Sequence, residues 1–454
     1  MTRKISFLLG VVLLSTSLVL PGSVRAGTTI TVNTIEDELN NDGDCSLREA
    51  IRAANLDTAV DACPGGSGDD FIVLPAGTYL FSLTGAGEDN ALTGDLDITQ
   101  NVTIHGAGST STIINANHFD RVFDVISPAR ATLSQMTIEA GNDSGWCGGG
   151  IRNQGVLILT ATLMVANYSS ASGGGLCNEA GAAATLDTVS FGNNSAMHGA
   201  AINNSGTLTL THVSLTFDNA SGNAGGLYNW GFATLTDVTF AFETAAGHGG
   251  GIYNGGTITL NNTTLNNNKA TTGNGGGIYN QYKMSLTNVT LSANTADSSN
   301  GGAIYQWSYY KSSLLNVTLN GNSANSGGAI YRDSARAGAV NLQNTIVANS
   351  SNGGNCAGTI TSLGYNLDSG NTCGFTQTGD LVNTNPLLEP LADNGGATWT
   401  HALLPGSPAV DAGTKSNCPA RDQRGVARPV GSACDIGAFE LAWRIFLPLV
   451  LSSP

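Results

Sequence analysis

The chain has 454 residues, of which 11% are charged and 60 are glycine, and its formal net charge is -15. Glycine this abundant without a three-residue period excludes collagen. The acidic balance disfavours nucleic acid and anionic lipid as partners, and an acidic polysaccharide would need a bridging cation.

The N-terminus has the pattern of an export signal. Arg3 and Lys4 precede an apolar run over residues 5–20, and Val24-Arg25-Ala26 is a small-residue cleavage pattern. These features predict a signal peptide at 1–26, cleaved after Ala26, with an uncleaved anchor as the weaker alternative. No other apolar run is long enough to span a bilayer. We therefore expect an exported protein.

Eight cysteines form local couples in the sequence. Oxidising compartments favour disulfides, so we interpret the couples as disulfide candidates, although spacing alone does not fix the pairing. Metal ligation is the poorer interpretation because no couple has CxxC spacing and no histidine cluster accompanies them. The couples are Cys45 with Cys63, Cys147 with Cys177, Cys356 with Cys373, and Cys418 with Cys434.

The first part of the mature chain, residues 27–94, contains one clear helix signal. Ser46 and Glu49 have the spacing of a capping box, and an apolar stripe follows at helical spacing. We expect this helix to cover the first coil of the domain that follows. The apolar residues are Leu47, Ala50, Ile51 and Ala54.

The segment before this helix also approaches the spacing of a calcium-binding loop. Glu38, Asn40, Asp42, Gly43 and Glu49 match that pattern except that glutamate occupies its first position. No second helix precedes the loop, and Glu49 already has a capping role. We leave calcium here open and assign no metal or other cofactor.

Residues 95–375 are dominated by a repeat of the form GGGIYN. Its apolar residue recurs every 25 or 26 residues, which is typical of a solenoid. Alternating Thr, Val and Leu between the glycine-rich turns indicates short strands. The sequence predicts an all-β, single-stranded right-handed parallel β-helix of about 25 residues per coil, rising about 4.8 Å per coil. The repeated apolar residues are Ile151, Leu176, Ile202, Leu227, Ile252, Ile278, Ile304 and Ile330.

Two polar columns interrupt the strand alternation. The first lies between Leu and Val, at His212, Asp237, Asn262, Asn288, Asn316 and Asn344. We predict a corner there, at which asparagine side chains bond to the next coil. His248 shares a variable turn slot with His198, Asn274 and Asn300. We therefore interpret His248 as a turn residue and not as a catalytic one.

A second polar column follows the third strand and contains two acids, Asp218 and Glu243, on adjacent coils. Their carboxyl groups are expected about 5 Å apart, near the separation of a retaining glycosidase pair. The alternative is that both replace asparagine on a solvent-facing column. No lysine or arginine stands beside them in neighbouring coils, and we assign no catalytic residue.

Five tyrosines each follow the inward apolar residue by one position. Strand alternation points them outward, where stacked rings would form an aromatic strip suited to sugars or protein partners. The alternative is that the rings only stabilise the stacking of coils. Trp230, Tyr282 and Trp307 lie nearby. The candidate ligand-binding residues are Tyr228, Tyr253, Tyr279, Tyr305 and Tyr331.

Three stretches resemble known bacterial surface modules. Residues 32–55, which include DGDCSLREAIRAAN, resemble the CSLREA domain. GGAI at Gly301 and Gly327, with FGNN at 191–194, is similar to the repeats of polymorphic outer membrane proteins. NPLLEPLADNGGATWTHALLPGSPAVDAG and CPARDQRGVARPVGSACDIGAFE, within 376–442, resemble the choice-of-anchor domain. The resemblance implies a pectin-lyase-like β-helix displayed at or released from a bacterial surface.

These observations lead to a first functional hypothesis. We expect an exported, non-catalytic surface protein, an adhesin or structural module that binds a glycan or a cell-surface protein through the tyrosine strip. The alternatives are a polysaccharide lyase or hydrolase using Asp218 and Glu243, and a spacer that binds nothing. Residues 376–442 are expected to form a C-terminal cap. The apolar tail, 443–454, is either a sorting signal or a packed terminus.

Overall fold

The computed structural model describes residues 27–442. The predicted signal peptide, 1–26, and the apolar tail, 443–454, lie outside the described residues. Between residues 27 and 442, no helix has both the length and the apolar character needed to cross a membrane.

The described chain is a parallel β-helix of about ten turns with about 26 residues per coil. Equivalent strands of successive coils pair in parallel and in register, so that Ile252 lies opposite Ile278 and Leu260 opposite Leu286. This confirms the fold predicted from the repeat. The inward aliphatic column from Ile151 to Ile330 is fully buried.

Each coil contributes to three sheets, which we call the front, side and back sheets. The front sheet contains Leu96–Ile98, Phe123–Val125, Ile151–Asn153, Leu176–Asn178, Ile202–Asn204, Leu227–Asn229, Ile252–Asn254, Ile278–Asn280, Ile304–Gln306, Ile330–Arg332 and Cys356–Ala357. The side sheet contains Asn142–Asp143, Tyr168–Ser172, Ser195–His198, Asn219–Ala220, Thr244–Ala245, Lys269–Ala270, Thr295–Asn300 and Ser323–Ser326.

The back sheet contributes most of the strands and bends within each coil. Its members are Thr29–Thr31, Asp70–Val73, Gly77–Leu80, Val102–His105, Thr112–Asn115, Arg130–Ser134, Thr137–Glu139, Val156–Val165, Ala183–Gly192, Thr207–Thr211, Ser214–Thr216, Phe232–Thr236, Thr239–Ala241, Thr257–Asn261, Thr264–Asn266, Lys283–Thr287, Thr290–Ser292, Ser312–Leu315, Thr318–Asn320, Val340–Gln343, Ile346–Ala348, Thr361–Ser362, Leu367–Asp368 and Leu381–Val382.

The bend in the back sheet occurs at the predicted corner column. Asn262, between Thr257–Asn261 and Thr264–Asn266, has a φ of 49°, and the other five members of the column also have positive φ. Asparagine and aspartate tolerate this left-handed conformation better than most residues, which explains why they recur here.

The N-terminal segment closes one end of the core. Its helix, Leu47–Leu56, starts at Ser46 with the predicted capping box formed with Glu49. The apolar residues of this helix join the same hydrophobic cluster as the coils. The segment also adds the strand Thr29–Thr31 to the back sheet, so that the first coil has no open edge there.

The C-terminal segment packs along the flank of the back sheet. It contains the antiparallel pair Leu388–Ala392 and Thr400–Leu403. Thr264 donates its hydroxyl to the Trp399 carbonyl, and Thr290 donates to the Gln423 side chain. The expected cap over the last coil therefore takes the form of a lateral cover across several coils.

All four predicted cysteine couples are disulfides in the structure. Cys45 bonds to Cys63, Cys147 to Cys177, Cys356 to Cys373, and Cys418 to Cys434. No free cysteine remains among residues 27–442.

Candidate functional site on the front sheet

One register column runs along the outward face of the front sheet. It begins with two aspartates, continues through an arginine and a disulfide cysteine, and ends in five tyrosines. The strand pairing places a charged end and an aromatic end on the same face of the helix. In order, the residues are Asp97, Asp124, Arg152, Cys177, Asn203, Tyr228, Tyr253, Tyr279, Tyr305 and Tyr331.

The tyrosine rings form a continuous stack, with neighbouring centroids 4.8–5.3 Å apart. This spacing matches the rise per coil and is favourable for offset aromatic pairs. The predicted register and outward side are therefore present. However, Tyr253, Tyr279 and Tyr305 are only 5–6% exposed.

Neighbouring side chains cover the edges of the stack. The ring of His248 stacks on Tyr279 at 4.5 Å, and Trp230 lies 5.9 Å from Tyr253. The hydroxyl of Tyr305 donates to Asp333 at 2.6 Å. Because the rings lie along the sheet and not upright on it, the three central tyrosines offer little surface for direct docking.

The exposed aromatic surface lies beside this stack, on the turn that follows each front strand. We call it the aromatic rim: Trp230, Tyr282, Trp307, Tyr309 and Tyr310. Trp230, Tyr309 and Tyr310 are 41–63% exposed. The guanidinium of Arg336 lies 3.7 Å from the centre of the Trp307 ring, and the Lys283 ammonium lies 5.3 Å from that of Tyr310. The rim thus combines aromatic faces with cations on an otherwise acidic protein.

The rim owes its size to two insertions. The corner residues Asn288, Asn316 and Asn344 are 28 residues apart, whereas Asn262 and Asn288 are 26 apart. The first insertion carries Tyr309 and Tyr310, and the second carries Arg336, which donates a hydrogen bond to the Tyr309 hydroxyl. Sequence reasoning missed these three residues, although the longer intervals mark their place.

The charged end of the column is an acid–arginine cluster. Arg121 lies 3.1 Å from both Asp124 and Asp143, and 3.4 Å from Asp95. Arg152 lies 3.3 Å from Asp124. Arg152 also pairs with Glu179 at 2.5 Å, and these two side chains are the more accessible members, at 21% and 34% exposure. The predicted pair Asp218 and Glu243 lies elsewhere, so sequence reasoning missed this cluster as well.

Burial changes the titration of the cluster. It raises the pKa of Asp95 to about 9, and the nearby Asp97 and Asp120 carboxylates raise it further. Burial also raises the pKa of Asp97 to about 7 and raises that of Asp124. Carboxyl groups that keep a proton near neutral pH therefore lie beside ionised ones, an arrangement that suits acid–base chemistry.

Asp218 and Glu243 lie inside the wall of the helix, and both are completely buried. They interrupt a ladder of asparagine amides in which Asn194 donates to Asp218 at 2.9 Å and Asn268 donates to Asn294 at 2.9 Å. Burial raises the pKa of both carboxyl groups, to about 7 for Asp218. The expectation that this column faces solvent is wrong, and a polymer outside the coils has no access to these carboxyls.

His248 is a turn residue, as its slot in the repeat predicted. Its Nδ1 accepts the backbone N–H of Asn274 at 2.9 Å. Its own N–H donates to the Asn223 side chain at 2.8 Å, and the His198 Nδ1 accepts the N–H of Asn223. Histidine and asparagine thus perform one structural task, and burial lowers the pKa of His248.

In the open question of the N-terminal acidic loop, two predicted ligands already have partners. Glu49 is buried and accepts the N–H groups of Ser46 and Asn40. The Asn40 amide donates to Glu38 and Asp42. Glu38, Asp42 and Asp44 do bring three carboxylates together.

No family model matches the chain, and no curated protein matches it. Among solved structures, the chain is similar to pectate lyase Pel9A, with 15% identity, a TM-score of 0.46, and coverage of 92% of this chain and 97% of that one. It is also similar to the catalytic unit of a thermostable GH87 α-1,3-glucanase from Streptomyces thermodiastaticus strain HF3-3, with 15% identity, a TM-score of 0.33, and coverage of 76% and 70%.

Both likenesses concern the fold, which is the pectin-lyase-like parallel β-helix that the resemblance implied. Both solved structures are named as enzymes of polysaccharides. The expectation that this chain is not an enzyme is contradicted by that finding, and we withdraw it.

Proposed function

We propose that this protein is an exported polysaccharide-degrading β-helix that holds a glycan chain on the aromatic rim and cleaves it at the acid–arginine cluster. The observation that carries the proposal is the single column on the front sheet, in which the cluster and the tyrosine stack share one outward face. The four disulfides agree with an oxidising, extracellular setting.

The aromatic rim supplies the binding surface. Sugar rings dock on aromatic faces, and Trp230 and Tyr309 are about half exposed or more. Lys283 and Arg336 add positive charge at the rim, which would attract acidic sugar residues. The tyrosine stack beneath acts as a rigid support that holds the rim residues in place.

The acid–arginine cluster supplies the chemistry. Cleavage of a glycosidic bond needs a carboxyl group that can donate a proton and a second group that accepts one or stabilises charge. Arg152 and Glu179 are exposed enough to touch a bound chain. Behind them, Asp97 titrates near neutrality, so the cluster contains carboxyls in both protonation states at physiological pH.

A panel of neutral and uronic-acid polysaccharides tests the proposal. Release of reducing ends reports cleavage, and ultraviolet absorbance of an unsaturated product distinguishes a lyase from a hydrolase. Arg152→Gln and Glu179→Gln are expected to reduce turnover at least tenfold, equivalent to about 1.4 kcal/mol of transition-state stabilisation. We expect both variants to keep their affinity for the polymer.

Binding is tested by a matched pair of aromatic substitutions. Trp307→Ala removes a rim residue, whereas Phe242→Ala removes an exposed ring that stacks on Phe217 outside the front sheet. We expect Trp307→Ala to weaken polysaccharide binding at least tenfold and Phe242→Ala to leave it unchanged. Equal effects of the two substitutions, or no polymer bound or cleaved across the panel, would contradict the proposal.

The ends of the chain bear on where the protein acts. The resemblance of residues 32–55 to the CSLREA domain and of 376–442 to the choice-of-anchor domain supports display on a bacterial surface. Deleting residues 443–454 tests the role of the tail. Release of the protein into the medium would assign a sorting role to the tail, and unchanged surface display would remove that role.

A further inference from the structure

Three aspartates come together at the N-terminal end of the front sheet. Asp97 and Asp124 are paired neighbours on adjacent front strands, and Asp89 reaches them from the 85–93 loop. One carboxylate oxygen of each residue lies within 4.8 Å of the other two. This group is distinct from the contacts that Arg121 and Arg152 make with Asp124, because both arginines bond to its Oδ2.

Two of these carboxylates have an oxygen without a partner. Asp97 is 0% exposed and Asp124 is 1% exposed. The Oδ2 of Asp97 accepts the N–H of Ala91, but none of the described residues donates a hydrogen bond to Asp97 Oδ1 or Asp124 Oδ1. Buried polar atoms in native proteins nearly always have partners, so these two oxygens need an explanation.

A divalent cation is the partner that fits both the geometry and the charge. Ca²⁺ binds carboxylate oxygens at about 2.3–2.6 Å, so two ligands of one ion lie at most about 5 Å apart. The three oxygens meet that limit. Hydrogen bonding to arginine is already committed elsewhere, since Arg121 also serves Asp95 and Asp143, and Arg152 also serves Glu179.

We propose that Asp89, Asp97 and Asp124 bind one divalent cation, with Ca²⁺ the best fit, which fastens the 85–93 loop to the front sheet. The loop is prearranged for this role, because the Glu88 carboxylate accepts the N–H groups of Asn90, Leu92 and Thr93. The ion would replace the like-charge repulsion of three carboxylates by shared coordination. This inference is independent of the proposed catalytic function.

Thermal unfolding and calorimetric titration with Ca²⁺ test the site. In the full chain we expect Ca²⁺ to raise Tm by at least about 2 °C over a chelator-treated sample at equal ionic strength. Asp97→Asn and Asp124→Asn are expected to abolish that increment. In chelator, each of these variants should unfold at or above the temperature of the wild type, because each removes one of the repelling charges.

Asp42→Asn is the matched control because its carboxylate belongs to the separate N-terminal acidic loop. We expect it to keep the full Ca²⁺ increment of Tm and the calorimetric binding signal of the wild type. Loss of the increment in Asp42→Asn with retention in Asp97→Asn would place the ion in the acidic loop and overturn the proposal. Absence of any Ca²⁺ or Mg²⁺ effect on the wild type would overturn it as well.

Discussion

Two pairs of carboxyl groups lie on adjacent coils of this helix, one in its wall and one on its face. Asp218 and Glu243 interrupt the amide ladder inside the wall, where Asp218 Oδ2 and both Glu243 oxygens have no partner among the described residues. Asp97 and Asp124 face outward, beside two arginines and a loop. The repeat sets the spacing of both pairs, but only the outward pair can contact a ligand.

The comparison shows that carboxyl groups at similar spacing acquire different roles from their surroundings. An amide both donates and accepts a hydrogen bond, whereas a carboxylate only accepts. Glu243 therefore cannot continue the ladder unless it keeps its proton, and burial raises its pKa accordingly. The outward pair has cations nearby and, in our proposal, binds another.

Removing the cation of the outward pair is expected to have the largest effect on stability. Arg121→Ala would leave Asp95, Asp124 and Asp143 without their shared partner. We expect a loss of about 3–5 kcal/mol in the free energy of unfolding, measured by urea denaturation at pH 7. A loss below about 1 kcal/mol would show that these carboxyls do not depend on Arg121.

Repairing the interior pair is expected to stabilise the protein. Asp218→Asn with Glu243→Asn restores the amide found at Asn194 and Asn268, so that donors and acceptors alternate again. We expect a gain of about 2–4 kcal/mol in the free energy of unfolding at pH 8. A destabilised double variant would mean that the wall is adapted to the two acids.

The pH dependence of this gain follows from the raised pKa values. Asp218 has a pKa of about 7 in the folded protein and an ordinary value of 3.8. Between pH 4 and 7 the folded state holds a proton that the unfolded state has lost, so the stability contributed by this group falls as pH rises. We expect the gain of the double variant to be smaller at pH 5 than at pH 8 by about 1–3 kcal/mol.

The smallest effect on stability is expected at the aromatic rim. Trp307→Ala removes a side chain that is only partly buried, so we expect it to lower the free energy of unfolding by less than about 1–2 kcal/mol while weakening glycan binding. Urea denaturation and a binding assay on one preparation separate the two effects. Loss of fold in this variant would assign the rim a structural role.

The interval of 25 or 26 residues was sufficient to predict the fold and its register. It placed Ile252 on Ile278 and the corner at Asn262 correctly, because hydrogen-bonded stacking repeats the same environment in every coil. The four disulfide couples were also correct. These features depend on local spacing, which a single sequence displays.

The side of the wall on which Asp218 and Glu243 lie was not predictable from alternation. The preceding residues, Phe217 and Phe242, have φ values of 61° and 60° and are themselves exposed, which turns the next side chain inward. Phenylalanine gives no sequence signal for that conformation. The outward acids were missed because Asp97 and Asp124 precede the regular glycine repeat that guided the search.

The central claim is that ligands act on the outward face and not at the interior acidic pair. Polysaccharide binding and turnover by the Asp218→Asn, Glu243→Asn double variant test it most directly. We predict wild-type binding and turnover from this variant on every polymer that the wild type accepts. Loss of turnover with the fold intact, while Arg152→Gln retains activity, would contradict the account.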